Sequence, residues 1–537
     1  MNHDSNPALH RLLSSNVAPN SREAASFQLQ LNDIASEISL LRSRLAELED
    51  QLQLRRVVLS PVRRIPAAVL GQIFVHLLPD LLEAGARDKL VEIQLVCKGW
   101  REGARLTQKL WSALSFEDLT DVPYKKVKQW FDRAGNTPKS LAYSTTSHDP
   151  CPGWQSFTCG ALRCSSLATL LINLEGTLDH LSLRYRDPTC FQTLLNSLGR
   201  AEEGLRRSWH ALKSLTLEFD QEWVAFPDPL QSMFLQLPPN ITSFELRLPT
   251  KYSCGFLYKD DSTIAPLPLP QNLLERLSSF TLCCDWYGKQ WLEPTLVRCI
   301  NLETLTVDFM RSRSNHGTEH LLNSGLLLPK VRTLRLQNVS PYTIDIIRVL
   351  KTPQLAELNI DLDEDEDYDW KLSEPVLSFI KRSQCDTTLR LFHLRCARIS
   401  AEELLATFRG LPFLVHLTLQ SVPAETIFEV LEVFAMEEGL QPDLPNLETL
   451  ELLQLQPDVF PHSLISFLHS RRPYLMENGK PVFINPQDTF KRLTVTYQTT
   501  FKKREYRLAE FESVEILSKW GGVSVNIGPK LYRLENY

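Results

Sequence analysis

Apolar residues at Phe27, Leu31, Ile34, Ile38, Leu41, Leu45, Leu48 and Leu52 alternate by four and three along a stretch free of glycine and proline. This a/d seam runs for about four heptads and predicts a long helix over residues 21–56. Ser21 is the expected cap. Glu37, Arg42, Arg44, Glu47 and Glu49 flank the seam. The pattern suits a coiled coil with a second copy or a partner helix, or a single amphipathic helix laid against the rest of the chain. A bare helix would leave the apolar stripe wet. Residues 1–20 are polar, carry Pro7 and Pro19, and read as a disordered leader.

The heptads stop before Pro61, and a second pattern begins at Ile65-Pro66, with proline in the first helical turn. Val69, Leu70, Ile73, Phe74, Leu77 and Leu78 make an apolar face wider than a short helix needs for packing within its own chain. Pro79 ends it, "LLEAGAR" reads as a glycine loop, and short helices follow over residues 89–96 and about 97–107, then Leu110-Trp111.

Beyond Trp111 the period changes. "VKQWFDRAGNTPKSLAYS" reads as helix, glycine turn and strand. Seven LxxLxL stretches begin at Leu178, Leu212, Leu302, Val331, Leu355, Leu414 and Leu447, four of them preceded by Pro329, Pro353, Pro412 or Pro445. Helical patterns such as "SAEELLATFRG" lie between them, and Ser400 and Glu403 form a capping-box pair. One strand–helix unit cannot cover its own apolar side, so neighbours must stack into a continuous core. The predicted fold is α/β: an irregular leucine-rich-repeat solenoid, a horseshoe with parallel strands on its concave face, closed by a capping helix and tail strand at 506–529. Side chains between the leucines would point outward: Lys213, Thr216, Glu303, Thr306, Arg332, Arg335, Glu357, Asn359, His416, Thr418, Glu448 and Glu451.

Composition narrows the function. A chain of 537 residues calls for several domains or an elongated array. A net charge of −6 is too small and of the wrong sign for a dedicated nucleic-acid binder, and Lys125–Lys128 and Phe501–Arg504 are short basic clusters that read as solvated loops. No apolar run reaches the ~18 residues of a membrane helix. Eleven cysteines without a secretory leader suggest reduced thiols in the cytoplasm or nucleus.

Motifs for chemistry are missing. There is no GxxxxGK[ST] loop and no GxSxG elbow. His316 and His320 in "HGTEH" lack the glutamate that a zinc-protease pattern places after its first histidine. The acidic run Asp361–Asp369 lacks the turn glycine and final glutamate of a calcium loop. Cys159 and Cys164 have no second pair and no nearby histidine. The expectation is a protein without metal, cofactor or catalytic residues.

The stretch "IPAAVLGQIFVHLL" followed by "IQLVCKGWREGARLTQKLW" resembles an F-box, whose pattern is Leu-Pro, an apolar helix, Leu-Val-Cys-x-x-Trp and a closing Leu-Trp. The match spans about residues 61–112, with Ile65 in place of the usual leucine and a longer link at 79–88. The long helix running into it is similar to F-box proteins common in mushroom-forming fungi. The expected organisation is leader 1–20, coiled-coil helix 21–56, three-helix F-box 57–114 and repeat domain 115–537.

The resemblance implies docking on the Skp-type adaptor of a cullin-RING (SCF-type) ubiquitin ligase, with Pro66, Val69, Leu70, Ile73, Phe74, Leu77, Leu95, Val96, Cys97, Trp100, Leu110 and Trp111 as adaptor-binding residues. It implies a substrate receptor whose repeats hold a protein target and whose work is proximity. A homodimer through the coiled coil, and a non-catalytic scaffold acting outside a ligase, are the readings beside it.

Overall fold

The computed structural model describes residues 7–15, 17–117, 124–145, 161–174, 178–185, 188–200, 207–220, 233–248, 269–283, 293–310, 319–341, 343–363, 370–396, 398–436, 444–455, 461–477, 480–484, 488–497, 519 and 523–529. Two compact units result: Met1–Pro79 with Asp88–Thr107, and Asp80–Arg87 with Gln108–Tyr537.

The first unit opens with helix α1 (Pro7–Ser15), where the sequence suggested a disordered leader. Arg11 on α1 meets Glu23 at 2.5 Å, a local ion pair that composition does not reveal. Helix α2 (Ser21–Leu59) covers the heptad stretch. Its cap is Asn20 rather than Ser21: the Asn20 side chain accepts from the Glu23 amide at 2.8 Å, and the Glu23 carboxylate accepts from the Asn20 amide at 3.0 Å. This reciprocal pairing needs a glutamate three residues after the cap, which Asn20 has and Ser21 lacks. A 3-10 turn over Pro61–Arg64 leads to α3 (Ala67–Leu77), whose N-cap is Pro66. Helix α4 (Ala84–Val96) starts inside the segment expected as a loop. Gly85 falls in its first turn, where glycine weakens a helix least. Helix α5 (Lys98–Leu106) follows with Cys97 at its N-cap.

Helices α3 and α5 pack through small residues. An added Cβ on Gly103 would sit 2.9 Å from the Ala67 carbonyl oxygen and 3.1 Å from Leu70 Cβ. Across the same pair of helices the Phe74 and Trp100 rings meet at a tilt of 50°, their centroids 5.1 Å apart.

The second unit is mixed α/β, a large parallel sheet with many helices. Its strands in chain order are β1 (Ala113–Glu117), β2 (Ser140–Ser144), β3 (His180–Tyr185), β4 (Ser214–Phe219), β5 (Ser243–Arg247), β6 (Ser279–Cys283), β7 (Thr304–Asp308), β8 (Leu326–Leu327), β9 (Thr333–Val339), β10 (Leu350–Lys351), β11 (Glu357–Leu362), β12 (Leu391–Arg395), β13 (His416–Gln420), β14 (Thr449–Leu455), β15 (Tyr474–Glu477), β16 (Lys480–Phe483), β17 (Arg492–Tyr497) and β18 (Ser524–Pro529). Among the described residues, fourteen of them form one sheet in sequence order, while β8–β10 and β15–β16 pair separately.

Register explains the LxxLxL spacing. The second apolar position of each unit stacks on its neighbours, as Leu181 on Leu215, Leu305 on Leu334, Leu334 on Leu358, and Leu417 on Leu450. The third position does the same through Leu217, Val307, Leu336, Ile360, Leu419 and Leu452, and all of these are buried. The period of two sends the intervening residues to the other face.

Each of the seven stretches is a strand of this sheet. Other strands went unassigned because phenylalanine stands where leucine was sought: Phe244 in β5, Phe280 in β6 and Phe392 in β12, each in register with a neighbouring leucine or phenylalanine. Strand β1 follows directly on Trp111, which the F-box resemblance groups with the preceding helices. Leu110 and Trp111 lie in the second unit. Trp111 packs edge-on against Trp130 at 4.7 Å and under the Arg133 guanidinium at 4.5 Å.

Two details change the expected local chemistry. Lys125, Lys126 and Lys128 sit on a helix, Tyr124–Arg133, because Val127 and Phe131 bury its other side. Ser400 caps Ala401–Arg409 by accepting from the Glu403 amide at 3.3 Å, but the Glu403 carboxylate accepts from the Ser373 amide at 2.9 Å instead of closing the box. It thereby ties one unit to the preceding one.

Cys159, the side chain of Cys164, His316, the side chain of His320, residues 364–369 of the acidic run, Phe501–Arg504 and most of the proposed capping helix lie outside the described residues. Among the described residues no single helix is long and apolar enough to cross a membrane.

Candidate functional site

Helix α3 is apolar on two sides, and the structure separates them. Leu70 and Phe74, four residues apart, are buried. Val69, Ile73 and Leu77 form a second row at the same spacing and are 48%, 45% and 51% exposed. Helix α4 divides likewise: Leu90 and Ile93 are buried, while Val91, Leu95 and Val96 are exposed. Of the remaining sequence candidates, Pro66 is exposed, Cys97 and Trp100 are half-buried, and Leu110 and Trp111 are buried. The twelve residues are therefore not one surface. Leu70, Phe74, Leu110 and Trp111 are structural, whereas Val69, Ile73, Leu77, Leu95 and Val96 face solvent.

The second surface is the sheet's polar face. Between the two leucine rows runs an in-register line through Thr216, Glu245, Thr281, Thr306, Arg335, Asn359, His393, Thr418 and Glu451. Six of the twelve outward candidates fall on it. Glu357 and His416 belong to the next row. Lys213, Glu303, Arg332 and Glu448 precede their strands, where Lys213 pairs with Asp179 and Glu448 with Lys491, each at 2.9 Å.

Along the centre of this face, Arg335, Gln337, Asn359, Asp361, His393, Arg395 and Gln420 line a cavity of about 110 Å³. Arg395 meets Asp361 at 3.2 Å, Arg335 meets Glu357 at 3.5 Å, and Asn359 donates to Glu357 at 2.9 Å. Beyond the cavity, His416, Thr418 and Glu451 form a polar triangle with separations of 3.2–3.4 Å. His393, Arg395, Gln337 and Gln420 were missed, the first two because strand β12 carries Phe392 where the pattern expects an aliphatic residue.

A second cluster lies beside the cavity. Arg247 donates to Glu245 at 2.6 Å and to Asp308 at 2.9 Å. Asp308, 2% exposed, also accepts from Asn338 at 2.8 Å and from the Met310 amide at 2.9 Å. Burial works against the Arg247 charge, but Glu245 and Asp308 outweigh it and hold the guanidinium above its usual range.

Burial lowers the proton affinity of His180 and of His393, against the charge of Glu245 for the former and, for the latter, the hydrogen bond to Gln420 and the charges of Glu451 and Glu357. Both are neutral in the native state near pH 7. The unfolded chain takes up their protons first as pH falls, so stability rises with pH across the window between folded and unfolded values. It should be fully present above about pH 6.5 and decline below it. Thermal midpoints measured between pH 5 and 7.5 should show this slope, and His393→Gln should flatten it.

Burial pushes the thiol of Cys299 up to about 12, of Cys385 to about 11 and of Cys396 to about 12. These cysteines stay protonated and serve as packing groups. Among the described residues no cluster of three histidine, cysteine or acidic side chains converges as a metal site. Two surfaces stand out, one apolar and helical, the other polar and built on strands.

No family model and no curated protein matches the chain. A crystal structure of a Bacteroides fragilis protein, a structural-genomics target, overlaps 55% of this chain and 73% of its own at 12% identity, with a TM-score of 0.33, and carries no argument about function.

Proposed function

We propose that the chain is a substrate-recognition subunit of an SCF-type cullin-RING ubiquitin ligase. Helices α3 to α5 act as the F-box and dock on a Skp-type adaptor. The sheet unit is a leucine-rich-repeat horseshoe whose polar face is concave and holds a protein target. The chain performs no bond chemistry. It raises the effective concentration of a target's lysines near the conjugating enzyme.

The observation that carries the reading is the split of α3. With Leu70 and Phe74 already packed, the row Val69–Ile73–Leu77 remains in water, although covering apolar surface is worth ~25 cal/mol per Å². Such a row fits an adaptor groove, where a few central apolar anchors dominate binding. On the polar face, the cavity between Arg335 and Arg395 is the natural anchor for a target side chain.

The test is co-purification of the full chain with a Skp-type adaptor and cullin. The triple variant Val69→Glu, Ile73→Glu, Leu77→Lys should fold as the parent and lose at least ~100-fold in adaptor affinity, because each anchor contributes more than ~1 kcal/mol. Unchanged binding by that variant, or no adaptor bound by the parent, overturns the proposal. Adaptor captured without cullin would reassign the protein as a scaffold.

A further inference from the structure

Helix α2 is 39 residues long and buries none of them. Its seam from Leu31 to Leu52 is exposed throughout, with Ile38 at 44% and Leu31 at 60% as the extremes. Within its own compact unit the helix therefore contributes no buried residue. We propose that α2 pairs with the α2 of a second copy as a parallel, in-register, two-stranded coiled coil. The proposal is independent of the ligase reading, since it uses no residue of α3 to α5 and no adaptor.

The heptad phase places Leu31, Ile38, Leu45 and Leu52 at a, and Ile34, Leu41 and Leu48 at d. Position g is then Glu37 and Arg44, and position e is Arg42 and Glu49. In a parallel pair each g residue faces the e residue five positions on in the other helix. Glu37 thus meets Arg42 of the second copy, and Arg44 meets Glu49 of the second copy, twice each by symmetry. The other couples across the seam, Glu23–Gln28, Gln30–Ala35 and Gln51–Arg56, oppose no like charges. A chain whose flanks complement themselves in this register is suited to another copy of itself. In the single chain Arg44 pairs with Glu47 on its own helix, both well exposed. Dimerisation exchanges that surface pair for one beside a dry seam.

Light scattering coupled to gel filtration on the full chain should give the mass of two chains. Ile38→Asp with Leu45→Asp should give one chain with helix content retained by circular dichroism. Glu37→Arg with Arg44→Glu puts like charges across both couples, four pairs by symmetry, and should weaken dimerisation about tenfold. Adding Arg42→Glu and Glu49→Arg restores complementarity and should restore the parent affinity. Leu31→Cys should form an interchain disulfide under mild oxidation, which an antiparallel pair cannot do. A parent mass of one chain, a mass of three or more, failure of the charge swap to rescue, or no disulfide from Leu31→Cys overturns the proposal.

Discussion

Replacing Phe74 with alanine is expected to lower the unfolding free energy of the α3–α5 pair by about 3–5 kcal/mol, the range for removing a buried phenylalanine from a packed site. Phe74 is 1% exposed and lies 5.1 Å from the Trp100 ring. The helices around it are already in backbone contact at Gly103, so they cannot close further to fill the space. Ile73→Ala, one residue away, should cost no more than ~0.5 kcal/mol, because its side chain is 45% exposed. Urea unfolding followed by tryptophan fluorescence separates the two, with Trp100 as the local reporter. Adaptor affinity should rank them the other way once folding is allowed for. Equal unfolding costs would mean that α3 does not have one packed and one open side. The contrast also bears on the choice of variant. A charge at Phe74 or at half-buried Trp100 abolishes binding through unfolding alone, whereas Val69, Ile73 and Leu77 report on the surface.

Much of the sheet was legible because the LxxLxL period has a direct physical meaning: two inward side chains per strand and one outward between them. Leu334 and Leu336 were readable as core and Arg335 as outward-facing, and the register places them so. The strands that escaped kept the period but changed the residue. Phe244, Phe280 and Phe392 bury a ring where leucine was expected, and an aliphatic pattern passes over them. Admitting aromatics would have found β5, β6 and β12, and with them Arg247, His393 and Arg395. On α3 the limit is different. Val69 and Leu70 are both aliphatic and adjacent, so hydrophobicity cannot tell which one packs. That depends on where α5 crosses, and the crossing depends on Gly71 and Gly103, whose small size is an interhelical property. The cap of α2 was readable: Asn20 and Glu23 have the capping-box spacing, and Ser21 does not.

Asp308→Ala is expected to destabilise the sheet unit by about 3–5 kcal/mol, the cost of removing one member of a buried ionic cluster. The carboxylate is almost wholly buried and takes three donors: Arg247, the Asn338 side chain and the Met310 amide. Its loss leaves the Asn338 side chain without this acceptor and Arg247 with Glu245 alone, and an unsatisfied buried donor costs ~1–3 kcal/mol. Asn338 adds to the effect. Its φ of +52° is a left-handed conformation, tolerable for asparagine, and the bond to Asp308 helps to hold it. Arg247→Met alone should also be costly, because it leaves the carboxylate buried without its cation. The double variant should cost less than the two singles added, by ~1 kcal/mol or more, since Arg247→Met alone leaves the buried Asp308 carboxylate without its cation and the double variant removes that carboxylate too. Additive costs would show that Arg247 is held by Glu245 and solvent rather than by Asp308. The consequence for recognition follows from register: Asp308 pairs with Gln337, which lines the Arg335–Arg395 cavity. On the proposed function, loosening the ends of β7 and β9 should weaken target binding in Asp308→Asn, a milder change that keeps the side-chain shape, before it unfolds the protein. Target affinity at a temperature well below the unfolding midpoint distinguishes this local effect from a global one.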